Sequence, residues 1–159
     1  MTLQIRFAER SDVAVIAELI RGLARYEKLE HEVTMTAERL ESSLFGPRPY
    51  AETLLAEEEG EAVGFALFFH NYSTFLGKPG IYLEDLFVVP EQRGSGIGRA
   101  LLERLARIAV ERDCGRLEWA VLDWNRDAIA FYERLGAKPN SEWTVYRLAG
   151  EPLHALAGE

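Results

Sequence analysis

The chain has 159 residues, enough for one domain with a real core and short for a two-domain enzyme with a hinged cleft. Its 48% hydrophobic and 28% charged residues are a globular balance, which excludes a fibrous repeat or long disorder. Eighteen Lys and Arg against 26 Asp and Glu leave a formal net charge of -8, so a nucleic acid would meet an opposing field and is not expected as a partner.

In chain order, Leu3-Gln4-Ile5-Arg6-Phe7 alternates apolar and polar residues and predicts a half-buried strand. Ser11 or Asp12 supplies an N-cap for a helix carrying Val13, Ile16, Ala17, Ile20, Leu23 and Ala24, expected to end near Leu29. Tyr26 to Thr34 is polar and reads as surface. A shorter helix begins at Thr36, shares Leu40 and Leu44 on one face, and stops at Gly46-Pro47. Ala51–Glu57 and Ala62–Phe69 read as a hairpin turning at Glu58-Glu59-Gly60-Glu61. A loop with Asn71, Gly77, Pro79 and Gly80 leads to a strand from Ile81 to Val89, apolar except for Glu84 and Asp85. After Pro90 a glycine-rich stretch enters an amphipathic helix with Leu101, Leu102, Leu105, Ile108 and Ala109 on one face. Leu117–Leu122 reads as a strand, Asn125 as the N-cap of a helix reaching Leu135, Gly136 as its stop, Trp143–Leu148 as a last strand, and Glu151 to Ala157 as a short tail. The order predicts a single α/β domain over residues 1–159, with a mixed central sheet flanked by helices.

The single Cys114 excludes an internal disulfide and paired-cysteine zinc sites, and reads as a reduced structural thiol. His31, His70 and His154 lack metal-ligand spacing, so no metal is expected. Met1 to Arg6 has no basic region followed by an apolar one, and no apolar run reaches the ~20 residues of a membrane span. A cytoplasmic protein without membrane association is expected.

Arg93-Gly94-Ser95-Gly96-Ile97-Gly98-Arg99 is the motif that carries chemistry. Backbone N–H groups of such a turn, continued by the free amides of a helix N-terminus, suit a phosphate or pyrophosphate. A nucleotide-kinase loop requires Lys and then Ser or Thr after the last glycine, where this chain has Arg99-Ala100. The dinucleotide fingerprint requires G-x-G-x-x-G near a first strand, whereas Gly94, Gly96 and Gly98 alternate late in the chain. A bare glycine triplet is explained equally by a tight strand-to-helix turn.

Its context resembles the GNAT superfamily of acyl-CoA N-acetyltransferases, whose R/Q-x-x-G-x-G/A signature it matches between an apolar strand and a helix. Leu23-Ala24-Arg25-Tyr26-Glu27, Tyr82-Leu83-Glu84-Asp85 through Val88, and Trp124-Asn125 with Phe131-Tyr132 extend the resemblance over nearly the whole chain, towards the spermidine/spermine N-acetyltransferase branch. The resemblance implies that backbone groups of Leu86, Phe87 and Val88 hold the pantetheine arm of acetyl-CoA. It also implies that Arg93, Gly94, Ser95, Gly96, Ile97, Gly98 and Arg99 hold the pyrophosphate, and that Asn125 touches the cofactor. It places the general acid on Tyr132 and the substrate-side residues on Tyr26, Glu27 and Glu84, and it implies a homodimer. Phe75 stands where the branch carries tryptophan, and the loop has Pro79-Gly80 with one extra residue, which leaves room for polyamines, diamines or thialysine-like amino acids.

The residues make chemical sense of that transfer. An alkylamine with pKa about 10.4 is protonated at neutral pH and must lose a proton before it attacks a thioester; Glu84 is the base expected to take it. A tyrosine hydroxyl, Tyr132, suits the leaving thiolate, whose conjugate acid has a pKa of about 8.5. Each residue also has a plainer reading. Glu84 and Asp85 cannot point the same way in an extended strand, so one is solvated at an edge while the other is buried with a partner. Tyr132 alone reads as a core aromatic, Asn125 as a cap, and Tyr26-Glu27 as a helix boundary on a charged surface rather than an acidic rim. A protein or peptide N-acetyltransferase and a non-catalytic acyl-CoA-binding module remain open alternatives.

Overall fold

In the computed structural model, which describes residues 2–159, the opening alternation forms β1 over Leu3–Phe7. A 3₁₀ turn at Arg10–Asp12 leads into α1, Val13–Tyr26, whose buried Val13, Ile16, Ala17, Leu19, Leu23 and Ala24 recur at helical spacing. Asp12 occupies the N-cap position, but its carboxylate does not cap α1; it accepts from Arg6 and from the Glu9 backbone N–H. The helix stops at Tyr26, short of Leu29, where Lys28 adopts a left-handed φ of 62°. A further 3₁₀ turn at Glu30–Glu32 precedes α2, Ala37–Phe45, which Thr36 Oγ1 caps by accepting from the Arg39 N–H.

β2 (Glu52–Glu58), β3 (Glu61–Ser73) and β4 (Lys78–Val88) follow as an antiparallel meander. The segment expected to be a loop is strand: Asn71 pairs with Gly80, Tyr72 with Pro79 and Ser73 with Lys78. Cross-strand pairing outweighs the local breakers, and the proline lies at the start of its strand, where a missing N–H is tolerated. After α3, Ile97–Glu111, a short β5, Leu117–Trp119, joins the sheet parallel to β4. It pairs with Ile81, Tyr82 and Leu83 only, and ends before the expected Leu122 because its ladder ends there.

The sheet order is β1-β2-β3-β4-β5, mixed in direction as expected. Leu55, Phe65 and Phe87 pack with Val13, Ile16, Leu19, Leu40 and Leu44 of α1 and α2. Leu54, Ala66 and Phe68 alternate to the opposite face and are equally buried, and α3 packs on the same strands. Two helical layers therefore enclose the sheet. Gly22 lets α1 approach closely: a Cβ there would sit 2.9 Å from the ring of Phe87. That contact sets the C-terminal end of α1 beside β4.

The chain divides into two compact units, one running to Ala120 and one over Val121–Glu159. In the second, Asn125 Oδ1 accepts from the Ala128 N–H and opens α4, Arg126–Arg134, which Gly136 closes with a φ of 95°. The tail forms α5, Glu151–Leu156. Trp143–Leu148 is not a strand; Trp143, Val145 and Tyr146 are 76%, 90% and 93% exposed. Alternation predicts a strand only where another strand accepts its hydrogen bonds, and among the described residues none pairs with this segment.

Candidate active site

The glycine loop is built by its backbone. After a 3₁₀ turn at Pro90–Gln92, Gly94 and Gly96 take φ values of 83° and 88°, a region that side chains with a Cβ resist. A Cβ added at either would meet nothing within 4 Å, so the loop opens outward at both positions. Ser95 Oγ donates to the Gln92 carbonyl and closes the turn from within. Ile97 is buried and anchors α3, while Gly98 and Arg99 complete the first turn, whose N–H groups precede the helical ladder that starts with Ala100 to the Gly96 carbonyl. An outward-facing nest of N–H groups at a helix N-terminus fits the pyrophosphate of a coenzyme A thioester. Arg99 also lies along α3, where its guanidinium meets Glu103 at 3.2 Å.

A second feature fits the rest of such a ligand. β5 follows β4 only as far as Leu83, so no strand lies along that edge from Glu84 to Val88 among the described residues. Leu86 and its neighbours therefore present backbone groups to whatever extended group lies there. Phe87 points instead into the core with α1, and the Val88 carbonyl accepts from Arg93 Nε at 3.0 Å. Arg93 is thus committed to the protein: its guanidinium also stacks 4.0 Å from the ring centroid of Tyr26 and 5.4 Å from that of Phe87. This stack joins the start of the loop, the central strand and the end of α1, three regions separate in sequence.

The acids gather on the same side. Glu27 follows directly after α1 and is half-buried, and both burial and the charge of Glu84 push its carboxyl above the ordinary range. Asp85 is pushed further, to about 7, first by burial and then by the charges of Glu84 and Glu27. Tyr82 is raised as well, by burial and by Glu84 and Glu118. Glu27, Glu84 and Asp85 have no ion-pair partner among the described residues. The expectation that one of the strand acids is buried with a partner fails: Glu84 is exposed, and Asp85 is half-buried without one.

A β-bulge explains how two consecutive acids reach one neighbour. Leu67 pairs with Asp85 and Phe68 with Leu83, which leaves Glu84 as the extra residue. Regular alternation, on which the sequence argument relied, is suspended at that residue. Asp85 is the residue sequence reasoning left unassigned, and the available signal was an acid next to Glu84 in an otherwise apolar strand.

In the second unit, Tyr132 lies on α4 with its ring 5.6 Å from that of Phe131, half-buried, and Asn125 is the cap. Among the described residues no cluster of histidine, cysteine or acidic side chains is arranged to hold a metal, and no helix is long and apolar enough to cross a membrane.

The family model for the acetyltransferase (GNAT) family matches residues 16–137, a span that includes most of α1, the bulged strand, the glycine loop and α4. The chain belongs to the GNAT family of acetyltransferases. Among curated relatives it is similar to a thialysine N-epsilon-acetyltransferase of Bos taurus, 41% identical over 98% of this chain and 97% of that one. It is also similar to an L-ornithine N5-acetyltransferase of Arabidopsis thaliana, 34% identical over 96% and 87% of the two chains. Among solved structures, an integron cassette protein from the mobile metagenome of V. cholerae superposes with a TM-score of 0.84, at 27% identity and covering 100% and 99% of the two chains. This acetyltransferase is accordingly an enzyme of the expected α/β class, and acetyl-CoA is the acetyl donor of its family.

Proposed function

We propose that this acetyltransferase transfers acetyl from acetyl-CoA to the primary amine of a small cationic molecule, a thialysine-like amino acid, a diamine or a polyamine. The observation that carries the reading is the set of three uncompensated carboxylates, Glu27, Glu84 and Asp85, on the side of the sheet where Arg93 ties the glycine loop to Tyr26. Carboxylates without a protein cation, of which Glu27 and Asp85 are half-buried, attract one from outside. Similarity to enzymes named for thialysine and ornithine supports the same substrate class.

When bound, acetyl-CoA supplies a thioester whose carbonyl carbon accepts the amine and whose sulfur leaves. Gly94 through Arg99 would hold its pyrophosphate through backbone N–H groups, Leu86 to Val88 would line its extended arm, and Asn125 would contribute a cofactor contact. Tyr26 and Glu27 bound the amine side, and Glu84 takes the proton that the ammonium must lose before its nitrogen lone pair becomes available. A backbone N–H of the Leu86 to Val88 stretch polarises the carbonyl. Tyr132 gives a proton to the departing sulfur, so no covalent acyl-enzyme is required. The same reading takes the enzyme to be a cytoplasmic homodimer, which sedimentation tests.

The deciding experiment follows thiol release from acetyl-CoA with thialysine, ornithine, lysine, putrescine, spermidine, spermine and a basic peptide. Turnover with one or more small amines is the expected result. Turnover confined to the peptide, or tight acetyl-CoA binding without turnover, overturns the reading in favour of a protein acetyltransferase or a binding module. Tyr132→Phe should lower kcat about 100-fold while acetyl-CoA affinity stays within about 3-fold, as measured by calorimetry.

A further inference from the structure

The bulge separates the two strand acids by environment as well as by position. Residues paired across antiparallel strands share a face, so Asp85 lies on the face of Leu67, which packs against the core beneath α1 and α2, and Leu83 lies on that of Phe68. Glu84, the extra residue, is exposed beside it. Asp85 has no hydrogen-bond or ion-pair partner among the described residues, yet its oxygens are not sealed: Thr53 Oγ1 is the one side-chain polar atom among those residues that is both closed off and unpartnered. The charged groups that act on Asp85 are Glu84 from its own strand and Glu27 from the end of α1, and its β3 partner Leu67 is apolar. Arg93, which stacks on Phe87 on the same face, is occupied by the Val88 carbonyl and the Tyr26 ring.

We propose that Asp85 is the residue that stores the proton released by the substrate amine, with Glu84 as the outer carboxylate that meets the ammonium and passes the proton inward. The inference rests on the functional reading above and adds a residue to it. An N–H bond of the ammonium breaks, and its proton moves through Glu84 to an Asp85 oxygen. The freed lone pair forms the C–N bond as the C–S bond breaks, Tyr132 protonates the departing thiolate, and the second proton that the nitrogen sheds as it becomes an amide restores the Tyr132 hydroxyl. Asp85 then returns its proton to solvent through Glu84.

The physical case is a matching of proton affinities. Asp85 is raised to about 7 from the ordinary 3.8, which brings it about three powers of ten closer to an amine of pKa about 10.4. The Glu84 and Glu27 charges that raise it are removed by substitution or offset by a bound cation, so the store is also sensitive to its neighbours.

The test combines a titration with a rate profile on the full chain. The side-chain carboxyl of Asp85 is titrated by carbon NMR in the wild type and in Glu27→Gln, which keeps the Glu84 relay, and kcat/KM for thialysine is followed against pH in both and in Asp85→Asn and Asp85→Glu. The expected midpoint is about 7 in the wild type and lower in Glu27→Gln, with the acid limb of kcat/KM moving down by the same amount. Asp85→Asn should lose that limb and about 100-fold in kcat with acetyl-CoA affinity within about 2-fold, and Asp85→Glu should recover at least about tenfold. An Asp85 midpoint below about 5, or an unchanged acid limb in Asp85→Asn, overturns the role of Asp85 while leaving the acetyltransferase reading intact. If Asp85→Asn does not fold, the limb in Glu27→Gln decides: movement with the Asp85 midpoint supports the store, and a fixed limb overturns it. A folded wild type that acetylates none of the small amines overturns the functional reading and the proton store together.

Discussion

Two regions of the first unit handle half-buried carboxylates in opposite ways. Beside β1, Arg6 reaches Asp12 at 2.8 and 2.9 Å and Glu57 at 3.0 and 3.1 Å, and the Asp12 carboxylate also accepts from the Glu9 N–H at 2.7 Å. Those bonds to Arg6 hold the Asp12 carboxyl below the ordinary range against the opposing effect of burial, and they raise the guanidinium in return. On bulged β4, Asp85 experiences burial and like charge with no cation, and moves up. The contrast teaches that the first set of acids is consumed in fastening β1, the α1 entrance and β2, whereas the second is left for a ligand.

Substitutions should separate the two regions by what they damage. The largest effect expected is on rate: Glu84→Gln should lower kcat/KM for the amine about 100-fold, or about 2.7 kcal/mol of transition-state stabilisation, with a melting temperature equal to or above the wild type because a repulsion is removed. Loss of stability without loss of rate would erase the contrast. Next, Arg6→Ala strands two part-buried carboxylates and should cost about 2 kcal/mol in a urea titration, while kcat of the folded protein is unchanged.

The pH dependences should have opposite signs. Asp12 lies below its unfolded value, so its contribution is present above the ordinary carboxylate range and is lost as pH falls through the folded value. Asp85 lies above its unfolded value: the folded protein holds the extra proton between about 4 and 7, and stability declines as pH rises across that window. Glu27 works in the same direction. Asp85→Asn should therefore raise stability at pH 8 by roughly 1 to 2 kcal/mol, after discounting for solvent, and change it little at pH 4. Equal gains at both pH values would show that packing rather than charge is responsible. The smallest effect sets the baseline: Glu103→Ala removes an exposed pair with Arg99 one turn away on α3 and should stay within about 0.5 kcal/mol at any pH.

Much of this was legible in one dimension. The periodicity of Val13 through Ala24 and of Leu101 through Ala109, the start of a helix at Thr36, the Asn125 cap, and the strand–glycine loop–helix order are local properties, and local chemistry decides them. The glycines of the loop belong to the same class, since a positive φ is a demand that a single residue answers. What failed was whatever depended on a neighbour. Trp143–Leu148 alternates like a strand but is not one, and the breaker-rich run between Phe69 and Ile81 pairs after all, because hydrogen bonds to another strand decide both.

By itself, then, the sequence determined the kind of fold, the family and the residue types a thioester and an amine require, because patterning, capping and motif spacing are written along the chain. Only the tertiary structure decided that Arg93 stacks on Tyr26, that Gly22 admits the Phe87 ring beneath α1, and that the charge of Glu84, at a bulge, bears on Glu27 while both bear on Asp85. The physical reason is that proton affinity follows from burial and from the charges brought near, and neither is defined until the strands have chosen their register.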